Sequence, residues 1–290
     1  MFTKIAVPLD RSELAERVFP ALAELARALG SEIHMVGVCQ PGVSDEQLAY
    51  QDYLDRQAAQ LVRSLAGSAA TVRTAVILGT SAERILEYVE AEAVDLVVMS
   101  SRGRSGMNRW SLGRTVDKVL RRIHVPLLVI RTRQQSDGER VFSRIAVPLD
   151  GSTRSAAVLP TIRELADRVG CEIFLVEVVE VGIRVRTIGG LDYVPFKERD
   201  TDTARASASE YLREVSTDLS RNRVRVSYEV RTGQAAREIH AFADEKRCTL
   251  IAMCSYRNSR MEAWVMGRVA TKVLEHSSQS VWLVPSFASD

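Results

Sequence analysis

The sequence predicts an α/β fold written twice: two tandem, doubly wound domains, each with a five-stranded parallel sheet. Three observations carry this. The segment Lys4-Ile5-Ala6-Val7-Pro8-Leu9-Asp10 returns as Arg144-Ile145-Ala146-Val147-Pro148-Leu149-Asp150, an offset of 140. Farther on, Gly113-Arg114 returns as Gly267-Arg268, an offset of 154. Within each copy, short apolar runs alternate with stretches of helical periodicity, the pattern of parallel strands joined by crossover helices. Each copy is long enough to bury its own core, so the period is that of a domain and not of a solenoid unit.

The elements follow in order. Residues 5–9 are apolar throughout, as a strand buried on both faces requires. Asp10-Arg11-Ser12 ends the strand. Ser12 can cap a helix whose apolar positions Leu14, Val18, Leu22, Leu25 and Leu29 run to Gly30. Pro20, repeated as Pro160, is expected to kink that helix in both copies. A strand over 33–38 precedes a helix over 45–65, with Leu48, Leu54, Ala58, Leu61 and Leu65 expected inward. Then come a strand at 72–78, a helix at 81–92, a strand at 95–99, a helix at 113–122 and a last strand at 125–130. The second copy keeps the order. Its 14 extra residues are assigned to 181–202 and expected to form a surface loop. The stretch 131–140 has no apolar residue, which sets domain 1 at 1–133, a linker at 134–142 and domain 2 at 143–290.

Composition narrows the function. The chain has 290 residues and a net charge of +2, with 46% hydrophobic and 26% charged residues. Near-neutrality gives no general argument for nucleic acid, and no apolar run approaches the roughly 18 residues that cross a bilayer. The first residues lead straight into a strand, so no signal peptide is expected and a cytoplasmic location is. The four cysteines (Cys39, Cys171, Cys248, Cys254) form no C-x-x-C pair and read as reduced, small hydrophobes. The four histidines lie in separate elements without metal-ligand spacing. Neither G-x-x-x-x-G-K-[S/T] nor G-x-G-x-x-G occurs.

Open parallel sheets bind ligands outside the carboxyl ends of their strands. Four segments of the first copy should meet there: Pro8-Leu9-Asp10, Val38-Cys39, Gly79-Thr80 and the loop from Met99 to Thr115. In that loop Gly103 and Gly106 allow close backbone approach, and Gly113 opens a helix whose first amides suit a phosphate. Arg102, Arg104, Arg109 and Arg114 add charge; Ser101, Ser105, Ser111 and Thr115 add hydroxyls. The same pattern also fits an ordinary solvated turn.

The Pro8-Leu9-Asp10 strand end, the Gly79 turn, the strand from Asp95, the glycine loop and the Val125-Pro126-Leu127-Leu128-Val129 ending together resemble the universal stress protein family. The resemblance covers nearly the whole chain, once per copy. It implies a Rossmann-like fold and a cytoplasmic stress-response protein that binds ATP or ADP, with or without Mg2+, as a sensor or regulator. The family's loop reads G-x2-G-x9-G-[S/T]. Here the keyed positions are Ser100, Gly103, Gly113 and Arg114, two of which match, and Thr115 places a hydroxyl one step later. By the resemblance Asp10 lies at the ribose, Val38 against the adenine, and Met99 closes the base pocket. Gly103, Gly113, Arg114 and Thr115 surround the phosphates; Pro8, Leu9, Ser100, Arg102 and Arg104 complete the set.

The second copy departs further. Cys254 replaces Ser100, Arg257 replaces Gly103 and Arg260 replaces Gly106. If position 103 needs a positive φ, Arg257 is strained. Asp150, Val178, Met253, Arg257, Gly267 and Arg268 are the candidates for a degenerate second site, and one nucleotide per chain is expected. The resemblance implies that the two copies pair through 125–130 and 281–284; a homodimer of the whole chain stays open. Trp110 and Trp264 are repeat equivalents, expected to pack rather than to stack on bases. The alternatives are a nucleotide-free interaction scaffold and a slow ATPase, for which no general base presents itself.

Overall fold

Apolar runs too short for helices become the central strands, and the amphipathic segments between them cover both faces. The computed structural model describes residues 2–42, 44–103, 112–131, 140–180, 186–187, 191–192, 198–220, 224–257, 264–265 and 267–287. The first half runs β1 (Lys4–Leu9), α1 (Glu13–Glu16), α2 (Phe19–Leu29), β2 (Glu32–Cys39), α3 (Ser44–Ser64) and β3 (Thr71–Leu78). It continues with α4 (Ser81–Ala91), β4 (Leu96–Ser100), α5 (Arg114–Leu120) and β5 (Leu127–Ile130). The second half repeats it: β6 (Arg144–Leu149), α6 (Thr153–Ala156), α7 (Leu159–Val169) and β7 (Glu172–Val179). A two-stranded ribbon of β8 (Arg186–Thr187) and β9 (Leu191–Asp192) follows. Then come α8 (Glu198–Leu219), β10 (Arg225–Thr232), α9 (Ala235–Glu245), β11 (Leu250–Arg257), β12 (Trp264–Val265), α10 (Arg268–His276) and β13 (Ser280–Phe287).

Each half has the strand order 3-2-1-4-5, and the halves join into one sheet ordered β10-β7-β6-β11-β13-β5-β4-β1-β2-β3. Among these ten strands, pairing is parallel within each half. At the junction β13 and β5 pair antiparallel, with Val281 opposite Val129, Trp282 opposite Leu128 and Leu283 opposite Leu127. Leu128 and Trp282 are themselves repeat equivalents, so a pseudo-twofold axis passes through their pair. Joining there removes one edge from each half. The cores on the two faces of the sheet run through both halves: α2, α3, α7 and α8 cover one, and α4, α5, α9 and α10 the other. Trp282 is fully buried at the junction, its ring 5.5 Å from Phe2 and 5.9 Å from Phe142. Among the described residues no helix is long and apolar enough to cross a membrane.

Three expectations are corrected. Pro20 does not kink a continuous helix. The helix breaks after Glu16 and restarts at Phe19, with Pro20 in the first turn, and Pro160 does the same in α7. A first-turn proline forfeits no hydrogen bond, because that amide has no partner in any helix. Leu48 points outward and is 66% exposed, while Tyr50, Tyr53, Leu54 and Leu61 face the sheet. Finally, the buried positions of α8 (Ala208, Leu212, Leu219) match Tyr50, Leu54 and Leu61 at an offset of 158. The extra residues before α8 therefore number 18, and four are lost in the turn after it.

The cysteines are free, and burial pushes the Cys171, Cys248 and Cys254 thiols up to about 12. His34 is fully buried with Nδ1 2.9 Å from the Tyr88 hydroxyl; His240 Nε2 lies 3.4 Å from the Val273 carbonyl.

Candidate functional site

The strand order places the topological switch point of the first half between β1 and β4. Crossovers leave those strands toward opposite faces, so a crevice opens at their carboxyl ends. Asp10 and Ser100 follow directly from the two strands into it.

A cavity of about 330 Å³ occupies this crevice. Pro8, Leu9, Asp10, Val38, Met99, Ser100, Arg102, Gly103, Gly113, Arg114 and Thr115 line it, eleven of the twelve residues named for the first site. The twelfth, Arg104, lies outside the described residues, as do Ser105, Gly106, Arg109, Trp110 and Ser111. Of the four expected segments, the third contributes Ser81 rather than Gly79 or Thr80.

Local structure fixes the key groups. Asp10 Oδ1 accepts from the Ser12 amide at 3.1 Å and the Ser12 hydroxyl at 2.5 Å. Ser12 Oγ in turn accepts from the Ala15 amide at 3.1 Å, capping α1. The other carboxylate oxygen lies against Gly103, where an added Cβ would be 2.0 Å from Asp10 Oδ2. Gly103 does not have a positive φ, so a positive φ is not what favours glycine there. Space decides it, through the approach of Asp10. The loop is pinned by two backbone bonds: Ser101 N–H to the Ile130 carbonyl at 2.7 Å, and Gly113 N–H to the Ser101 carbonyl at 2.9 Å. Gly113 then caps α5 with φ −62° and ψ 145°. That helix has only seven residues, so its first amides, not an accumulated dipole, are what it offers an anion.

Sequence reasoning missed the wall opposite β4. Glu46 and Tyr50 on α3 line the cavity, together with Gln40 beside the expected Cys39. Arg11 reaches over from β1, 3.2 Å from Glu46 Oε1 and 4.5 Å above the Tyr50 ring centroid. The Tyr50 hydroxyl donates to the Leu9 carbonyl at 3.0 Å. Arg11 holds φ +64°, a left-handed conformation that its repeat partner Gly151 adopts at +74°. The spacing of Glu46, Tyr50 and Tyr53 at helical intervals was the available signal.

The second copy is built differently. Asp150 repeats the turn, accepting from the Ser152 amide at 3.0 Å and its hydroxyl at 2.6 Å. Burial raises its pKa, but these bonds and Ser155 hold the carboxyl below the ordinary range. Where β4 of the first copy ends at Ser100, β11 continues as strand through Arg257. Its residue Tyr256 opposes Val265 and Arg257 opposes Trp264 in an antiparallel pair with β12. The expected strain at Arg257 is absent, since an extended strand suits it. Gly113 packs with its Cβ position 3.6 Å from Arg102 Cα; Gly267 has no described atom within 4 Å. Met253 is buried, Val178 packs on the core, and Arg268 is exposed at the start of α10. Glu177 stands at the Gly37 position. Burial and Asp150 push its carboxyl up, and Oε2 has no hydrogen-bond partner.

Comparison with known proteins matches this architecture. The model of the universal stress protein family matches residues 1–131 and again 142–285. Universal stress protein MJ0531 of Methanocaldococcus jannaschii is 23% identical over 141 residues, 45% of this chain and 83% of that protein. Universal stress protein YxiE of Bacillus subtilis is 25% identical over 148 residues, 45% of this chain and all of that one. A universal stress protein of Archaeoglobus fulgidus superposes with a TM-score of 0.73 at 20% identity, covering 97% of this chain and 98% of its own. A repeated sequence, a twice-built 3-2-1-4-5 sheet and a family model that matches each half separately lead to one conclusion: this chain belongs to the universal stress protein family, as a tandem member with one family domain in each half.

Proposed function

We propose that the first domain binds ATP or ADP and that the chain acts as a cytoplasmic nucleotide-dependent sensor or regulator in the stress response. The observation that carries this reading is the cavity at the β1–β4 switch point, lined by eleven of the twelve residues named from sequence. Asp10 is assigned to the ribose hydroxyls, Val38 and Met99 to the base, and Gly103, Gly113, Arg114 and Thr115, with the first amides of α5, to the phosphates. Mg2+ would arrive on the nucleotide, since among the described residues no group of three or more His, Cys, Asp or Glu side chains could hold a metal.

The geometry supports binding over hydrolysis. The carboxylates lining the cavity are Asp10, engaged by Ser12, and Glu46, engaged by Arg11. A general base needs a carboxylate available to a water in line with the phosphate. The test is calorimetric titration of the full chain with ATP, ADP and GTP, repeated on Gly103→Val. Micromolar binding of the adenine nucleotides by the wild type and none by the variant is expected. Equal binding by both would sink the assignment.

A further inference from the structure

Arg102, after β4, and Arg131, after β5, each bury a guanidinium Nε that has no hydrogen-bond partner. Arg131 follows β5 and is 8% exposed. Its amide donates to Ser280 Oγ at 3.2 Å, and its guanidinium donates to the Leu274 carbonyl in the last turn of α10, in the other domain. That carbonyl is one of the helix-end acceptors that lack an intrahelical partner, so Arg131 caps the helix. Ser101 N–H donates to the Ile130 carbonyl at 2.7 Å, so Arg131 and the cavity-lining Arg102 each follow a residue of this bond. Nε of both arginines is buried without a partner. Burial and the charge of Arg102 bring the Arg131 pKa down to about 10. In the second copy Tyr256 and Pro285 hold these positions, so the pair exists once per chain.

Two like charges on adjacent strand ends, each with a buried orphaned donor, are destabilising until an anion arrives. We propose that Arg131 is a positioning residue that couples the first-domain ligand to the second domain. Phosphate charge beside Arg102 offsets the repulsion between the two like charges and tightens the Arg131 cap on α10. This rests on the nucleotide reading of the first domain and adds its consequence: ligand phosphate, not the nucleoside, stabilises the domain junction. Because coupling is reciprocal, the capped junction also favours the phosphorylated ligand.

Hydrogen exchange on the full chain tests this, with ATP, adenosine or no ligand, read in residues 268–280. ATP is expected to slow exchange there roughly fivefold or more, and adenosine to leave it unchanged. Arg131→Met should lose that slowing and weaken ATP about five- to tenfold, with adenosine affinity unaltered. Arg131→Lys, which keeps the charge but not the planar fork, should retain part of both effects. Gly103→Val should abolish the slowing, which places its origin in the first domain. Should Arg131→Met fail to fold, the wild-type comparison of ATP with adenosine decides alone. A wild-type chain that binds ATP without phosphate-dependent slowing overturns the coupling, as does slowing that survives Gly103→Val. A chain that binds no adenine nucleotide overturns the site reading and the coupling with it.

Discussion

The ring of Tyr50 fills the space that a side chain at Gly37 would need: a Cβ there would lie 2.5 Å from two of its ring carbons. Tyr50 is buried and tied to the Leu9 carbonyl, so it cannot swing aside cheaply. The second domain has made the opposite choice, with Ala208 at the Tyr50 position and Glu177 at the Gly37 position. Gly37→Ala is therefore expected to destabilise by about 1–3 kcal/mol in urea denaturation, the cost of overpacking. Adding Tyr50→Ala should recover part of that loss, because contacting residues are not additive. Strict additivity would mean the two do not compete for the same space.

Gly103→Ala should act on the ligand more than on the fold. The atom it meets is the tip of the Asp10 side chain, which can move. Moving it removes the carboxylate from its place in the cavity. We expect ATP affinity to fall about tenfold, the loss of one good polar contact, with stability within about 1 kcal/mol of wild type. Calorimetry and thermal unfolding of one preparation separate the two. Unfolding without a specific loss of affinity would contradict it.

Glu177→Gln should stabilise the chain at neutral pH. The folded-state pKa of Glu177 is raised by burial and by Asp150, so folding favours its protonated form. The penalty is absent below the ordinary glutamate range, grows as pH rises through it, and is complete above the raised value. The gain from glutamine should be under about 1 kcal/mol at pH 7 for a partly buried group, and should vanish near about pH 4. A gain independent of pH would point to packing instead.

Trp282→Ala should cost about 3–5 kcal/mol, as expected for a fully buried aromatic. Because β5 and β13 share one ladder, we expect both halves of the wild type to unfold in a single transition. Two well-separated calorimetric transitions in the wild type would show that the ladder does not bind the halves cooperatively.

A titration should give one nucleotide per chain at modest concentration. In the first half Gly103 and Gly113 lie together, whereas the second half has the β11–β12 pair at Arg257 and no described atom near Gly267. Two equivalent sites by equilibrium dialysis would show that the second half binds despite this difference.

The sequence by itself determined the duplication, the parallel α/β class and the first cavity's main residues. These are local or repetitive signals: apolar runs, glycines at turns, an Asp at a strand end. What it left open depended on partners distant in the chain. The helix face of Leu48 against Tyr50 was settled by which residues fit beneath the sheet, and Pro20 by where the backbone could restart a helix. The need for glycine at 103 came from Asp10, 93 positions away, and not from its own φ. Arg257 looked strained as a copy of Gly103 and is relaxed as a strand residue, because Trp264 pairs with it. The cap of Arg131 on Leu274 joins two domains across 143 positions. Only the tertiary structure decides such contacts, since they form when packing brings together groups that no sequence period relates.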